Sequence, residues 1–233
     1  MVKFLSLLTL LLISSTLKAN MLVYPMELDV GKSGVAKISI NSKSDKVQFI
    51  KVYETKIIHP GTTFEKEVAM DVSNDTLAVT PVKLALSPGS ERIVRLISFE
   101  APEKETTWRV YFEAVSEDEF NEVSENSKKS SADVGVSIIW GALIHILPAE
   151  IKPSVTYDSG KKALINNGTI RIPVTELGTC SRGGECIWSK FTKTIYPDEL
   201  LPVKGLAVNV FYKLKYFNPI SRKIEELTVS SGF

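Results

Sequence analysis

The sequence predicts an all-β protein made of two β-sandwich domains, 20–147 and 148–233, behind an N-terminal leader. Three observations lead there. Alternating or β-branched runs recur from "MLVYP" to "LAVNVFYKLKYF". Gly, Pro, Ser and Asn punctuate them at short intervals, as in "GKSG", "HPGT" and "SPGS". No stretch combines helical caps with a helical apolar period. Short strands at this spacing suit a sandwich or barrel.

Residues 1–19 carry Lys3 in a positive n-region, an apolar core from Phe4 to Ile13, and Leu17-Lys18-Ala19 before the expected cut. This reads as a secretory signal, because the apolar run is far shorter than the roughly 20 residues a bilayer requires. No later segment is long and apolar enough to span, so an exported protein without membrane insertion is expected.

The first domain then reads as strands in "MLVYP", "GVAKISINS", "VQFIKVYETKII", "TLAVTP", "ERIVRLISF" and "WRVYFEAV". A long polar stretch, Ser116 to Ala132, follows and reads as a loop. After it comes "DVGVSIIWGALIHILP", in which Val134, Val136 and Ile138 alternate with polar or small residues before the run turns wholly apolar. "PAEIKP", Pro148 to Pro153, reads as the linker. The second domain continues with "SVTYD", "KALINNG", "TIRIPVTEL", "KFTKTIYP" and "LAVNVFYKLKYF", and "NNGT" between two of these reads as a hairpin turn.

Charge and chemistry narrow the function. The 28 Lys and Arg against 27 Asp and Glu become 26 against 27 once Lys3 and Lys18 leave with the leader. That balance lacks the basic stripe expected of a nucleic-acid partner. There is no paired-carboxylate, metal-ligand or phosphate-loop pattern, so neither an enzyme nor a cofactor is expected. Of the two histidines, His59 precedes a turn-forming Pro-Gly and His145 sits in an apolar strand. Cys180 and Cys186 enclose Gly183-Gly184. In an oxidising compartment such a pair most simply forms a local disulfide. Redox motifs have fewer intervening residues, and zinc would need ligands that only His59 and His145 could readily supply.

"VTPVKLALSPGSERIVRL", "WRVYFEAV" and the strand ending at Pro148 resemble the first domain of the PapD-like periplasmic pilus chaperones. "MLVYP" resembles that family's opening strand, and "KALINNGTIRIPVTEL" its second-domain hairpin. "LVYPMELD", "HPGTT", "ALIHILP" and the paired cysteines are most similar to the alternate branch serving colonisation-factor (class five) fimbriae. The resemblance implies two immunoglobulin-like sandwiches in an L or boomerang. It also implies a periplasmic chaperone that caps pilin subunits, the major pilin and tip adhesin, by lending them a strand, and that delivers them to an outer-membrane usher; strand addition of this kind is a known recognition mode. Alternation alone leaves Val134, Val136 and Ile138 facing either the protein's own core or a partner's groove. The resemblance assigns them to the partner, as the donor strand.

The resemblance fails at one point. The two basic residues that hold the pilin's C-terminal carboxylate in the better-known branch fall at Met21 and Leu143 here, and neither side chain can pair with a carboxylate. Arg109, always charged, and His145 are the candidate replacements. The arginine before the strand-ending proline is replaced by Leu147, which puts the family's interdomain ion network in question. Arg95 is expected to be structural, and Gly141 to permit a bulge. A structural fimbrial subunit or adhesin is the rival reading; two complete-looking β domains speak against it.

Overall fold

The computed structural model describes residues 20–69, 77–121, 138–181, 183–203, 206 and 210–232. The leader, Val134 and Val136 lie outside the described residues. Among the described residues the first half holds ten strands: β1 (Met21–Tyr24), β2 (Glu27–Val30), β3 (Val35–Ser42), β4 (Gln48–Ile58), β5 (Lys66–Ala69), β6 (Leu77–Thr80), β7 (Lys83–Leu86), β8 (Glu91–Ser98), β9 (Thr106–Val115) and β10 (Ile139–Ile146). They form two sheets, ordered β1-β3-β8-β6 and β2-β10-β9-β4-β5, with β7 also on β4.

Period-two patterning decides which side chains fill the space between these sheets. On β9, Trp108, Val110 and Phe112 are buried, while Arg109, Tyr111 and Glu113 lie on the other face. They pack with Ile38, Ile40, Val94 and Leu96 of the facing sheet and with Ala142, Ile144 and Ile146 of β10. Each of the Val, Ile, Leu and Phe side chains contributes about 1.5–3 kcal/mol by apolar burial.

A second, separate core runs from Val155 to Val229. It is built from β11 (Val155–Asp158), β12 (Ala163–Asn166), β13 (Ile172–Cys180), β14 (Cys186–Ile195), β15 (Leu200–Pro202), β16 (Phe211–Asn218) and β17 (Lys223–Gly232). Their order is β14-β13-β16-β17-β11-β12-β15, with β17 pairing antiparallel to β16 and then parallel to β11. Cys180 and Cys186 face each other across the β13–β14 hairpin and are joined by a disulfide.

Four sequence expectations are corrected. The polar stretch after β9 opens with a short helix, α1 (Glu117–Phe120), capped by the Ser116 side chain and anchored by Phe120 on Phe49. Gly141 makes no bulge, since β9 and β10 stay in register from Ile139 to Ile146. "NNGT" is not a hairpin turn: β12 pairs with β11 and β15, and β13 with β14 and β16, so the turn passes between layers. The charged strands β2, β5 and β17 carry too little hydrophobic signal to be read as strands, and tertiary pairing overrides that weak propensity.

Candidate functional site

Two features stand out where the sandwiches meet and along β10. The first is centred on Arg171, immediately before β13. The turn leading to it is stitched to the interdomain connector: Thr169 N donates to Lys152 O at 2.9 Å and Asn167 N to Ser154 O at 3.0 Å. Buried Asn166 holds the turn from inside by donating to the Ile170 and Ile195 carbonyls, both at 2.8 Å. Gly168 is required by close approach, because a Cβ there would lie 2.3 Å from Lys152 O.

This turn delivers Arg171 to the first sandwich. Its Nη2 donates to Asp29 Oδ1 at 2.7 Å, and Nη1 lies 3.0 Å from Glu105 Oε1. Glu105 is fully buried at its side chain, and its Oε2 accepts from the Arg171 backbone N–H. Its own N–H donates to Thr169 O at 2.8 Å. Burial works against the guanidinium charge, but Glu105 and Asp29 outweigh it and raise the Arg171 pKa further. The interdomain network questioned at Leu147 therefore exists, carried by another arginine.

His145 belongs to the same network. It is 1% exposed, with Nε2 3.2 Å from Glu27 Oε1 and Nδ1 3.4 Å from Glu105 Oε1. Burial alone would lower its pKa, yet the hydrogen bonds to Glu105 and Glu27 prevail and raise it. The hydrogen bond from His145 is also the main reason the Glu27 carboxyl is held below its usual range.

A second contact comes from the "HPG" turn after β4. His59 Nδ1 is 3.0 Å from Glu199 Oε1, and Lys104 pairs with Asp198 nearby. Gly61, at φ +72°, packs so closely on the Tyr196 ring that a Cβ would come within 3.0 Å of it. His59 is thus a turn residue and also an interdomain contact. Beside the Arg171 network lies a cleft of about 670 Å³, whose lining includes Tyr24, Glu27, Asp29, Tyr196, Phe217 and Arg222.

The second feature is the edge of β10. On one side β10 pairs with β9 along its whole length, Ile139 to Ile146. On the other side β2 covers only Leu143 to Ile146, running parallel. Among the described residues, Ile139 to Ala142 have no strand on that side. Strand alternation puts Ile138 on the core-facing side with Ala142 and Ile144, yet Ile138 is 51% exposed and its neighbour Ile139 is 46% exposed. The apolar stripe has run past the end of its own core.

Arg109 lies on the outer face, on β9 opposite Leu143. Its Nε is 2.9 Å from Glu67 Oε1, and its side chain is 31% exposed. The two anchor candidates are therefore in different settings: His145 is enclosed between carboxylates, whereas Arg109 reaches solvent. Met21 is buried in the first core and Leu143 is half-buried on the strand. Sequence reasoning missed Arg171, Glu105, Asp29 and Glu67, whose partners are distant in the chain; a charged residue inside the apolar run "TIRIP" was the one available signal.

Together, two immunoglobulin-like sandwiches joined by a buried ion network, with a β10 edge that no strand covers among the described residues, define a binding protein. No family model matches the chain. It is 37% identical over 218 residues to a CFA/I fimbrial subunit of Escherichia coli, covering 90% of this chain and 91% of that one. It is 34% identical over 197 residues to a CS1 fimbrial subunit of Escherichia coli, covering 82% of each. Among solved structures it resembles the class 5 fimbriae chaperone CfaA, with 30% identity, a TM-score of 0.76, and coverage of 91% of this chain and 99% of that one. The chain belongs to the periplasmic PapD-like fimbrial chaperones, on the branch of the class 5 fimbriae.

Proposed function

We propose that this chaperone, organised as units 20–147 and 148–233 behind the leader 1–19, caps pilin subunits by adding β10 and the residues before it to the pilin's incomplete sandwich. It then hands them to an outer-membrane usher. The observation that carries this reading is the edge of β10 from Ile139 to Ala142, which no strand pairs among the described residues, adjoining the exposed Ile138. An unpaired edge is a template for another strand and is normally blunted. Val134, Val136 and Ile138 supply the alternate apolar side chains of the donor. Each contributes roughly 1.5–3 kcal/mol when buried, and each main-chain hydrogen bond about 0.5–1.5 kcal/mol.

Arg109 is the anchor for the pilin's C-terminal carboxylate. Of the two candidates it has the accessible side chain and the permanent charge, whereas both ring nitrogens of His145 already face carboxylates. His145 serves the domain junction instead. The rival reading, a structural component of the fimbria, draws on the names of the two Escherichia coli relatives. The two separate cores speak against it, since a pilin awaiting a donated strand has an incomplete one.

Periplasmic co-expression with candidate pilins tests the reading. Ile138→Asp is expected to leave the chaperone folded and to abolish recovery of soluble pilin. Normal pilin yield with that variant sinks the donor-strand assignment. Arg109→Ala with undiminished binding removes the anchor.

A further inference from the structure

We infer that Glu67, Tyr111 and Thr55 are positioning residues for Arg109: they fix its guanidinium through Nε and leave the two Nη nitrogens to receive the pilin's terminal carboxylate. This rests on the reading of Arg109 as the anchor. Glu67 projects from β5, with Oε1 2.9 Å from Arg109 Nε. Its other oxygen, Oε2, accepts from the Tyr111 hydroxyl at 2.6 Å and from Thr55 Oγ1 at 2.7 Å. The carboxylate is therefore tied to two neighbouring strands before it meets the arginine. Burial raises its pKa, but the bonds from Tyr111, Thr55 and Arg109 prevail and keep it ionised.

The rest of the surroundings are equally specific. The Tyr111 ring stacks on Tyr53, with centroids 5.1 Å apart. Gly141 provides the floor: a Cβ there would lie 3.1 Å from Arg109 Cδ and 3.2 Å from Tyr111 Cε1. The glycine that makes no bulge thus makes room for the arginine. Arg109 Nε is itself buried and meets Glu67 as an ion pair without hydrogen-bond geometry, and among the described residues that ion pair runs through Nε and not through either Nη nitrogen.

A long arginine loses much rotamer freedom on binding, and freedom already lost in the free protein is not lost again. The planar fork also recognises a carboxylate by direction as well as by charge. Glu67 weakens the raw attraction for a second anion but sets that direction. Its role is therefore read in discrimination between a carboxylate and its neutral isostere.

The test uses the full chaperone and the C-terminal strand of a co-purifying pilin, synthesised as free acid and as C-terminal amide, with affinities from calorimetry. The wild type is expected to prefer the acid by about tenfold, one charge-assisted interaction. Glu67→Ala and Tyr111→Phe are expected to lower acid affinity about fivefold, leaving amide affinity unchanged. Tyr111→Phe keeps the stacked ring, so its melting curve should match the wild type. A preserved acid preference in both variants overturns the inference, provided that Arg109→Ala abolishes it. So does a rise in that preference in Glu67→Gln, which would make Glu67 a competitor. If Arg109→Ala leaves the preference intact, or no pilin co-purifies, the underlying reading fails and the inference falls with it.

Discussion

Arg171 Nη2 of the second sandwich lies 2.7 Å from Asp29 Oδ1 of the first, and the same guanidinium reaches buried Glu105. One side chain thus ties β2 and the segment before β9, both in the first sandwich, to the start of β13 in the second. Removing it would strand a buried carboxylate, which costs far more than losing an exposed pair. Arg171→Ala is expected to cost about 3–5 kcal/mol in urea denaturation. Asp29→Asn, at a more exposed partner, is expected to cost less. Equal effects of the two substitutions would contradict the central place of Glu105.

His145 gives the junction a pH dependence of known sign. Its pKa is raised in the folded protein, so folding holds the proton more tightly than the unfolded chain, where histidine titrates near about 6.5. The resulting stabilisation is complete below that value and is lost as pH rises through the higher folded one. Glu27 runs the other way. Its lowered pKa contributes above about 4.3, and that contribution is lost as pH falls through the lower folded value. The melting temperature is expected to fall from about pH 6 to about pH 8, and His145→Asn to flatten that slope. An unchanged slope in the variant would assign the effect to other groups.

Gly168 tests the turn that delivers Arg171. An alanine Cβ would meet the Lys152 carbonyl and the Ser154 nitrogen, both backbone atoms that move only with the connector. Overpacking of this kind costs about 1–3 kcal/mol. Gly168→Ala is therefore expected to lower the melting midpoint by several degrees. An unchanged midpoint would mean that the connector yields freely and does not hold the turn.

The disulfide is expected to matter for stability and not for binding. Cys180 stands eight residues along β13 from Ile172, at the interface end, a distance of about 26 Å. Closing so short a loop stabilises by about 2–2.5 kcal/mol in the chain-entropy model. The double variant Cys180→Ala, Cys186→Ala should lose about that much and still bind pilins normally. Lost binding with retained folding would place the hairpin in the binding surface.

Much of the architecture was legible because apolar alternation is local. Strands such as "WRVYFEAV" and "KISI" state their buried face in their own spacing, and the cysteine pair names its own partner. The edge strand β2 and the terminal β17 were not legible, since their charged residues mask the alternation and their pairing comes from distant segments. The turn at Asn166 to Thr169 was legible as a turn but not as a passage between layers.

The sequence by itself determined the all-β class, the alternating strands and the apolar run that ends at Pro148, because each depends on residues a few positions apart. Only the tertiary structure decided that His145 is enclosed, that Arg171 replaces the missing interdomain arginine, and that Glu67 holds Arg109. Ion pairs join residues up to 144 positions apart, as Glu27 and Arg171 are, and their strength depends on burial and on geometry within a few ångströms. Neither is written in local spacing; both appear only when the sheets have packed.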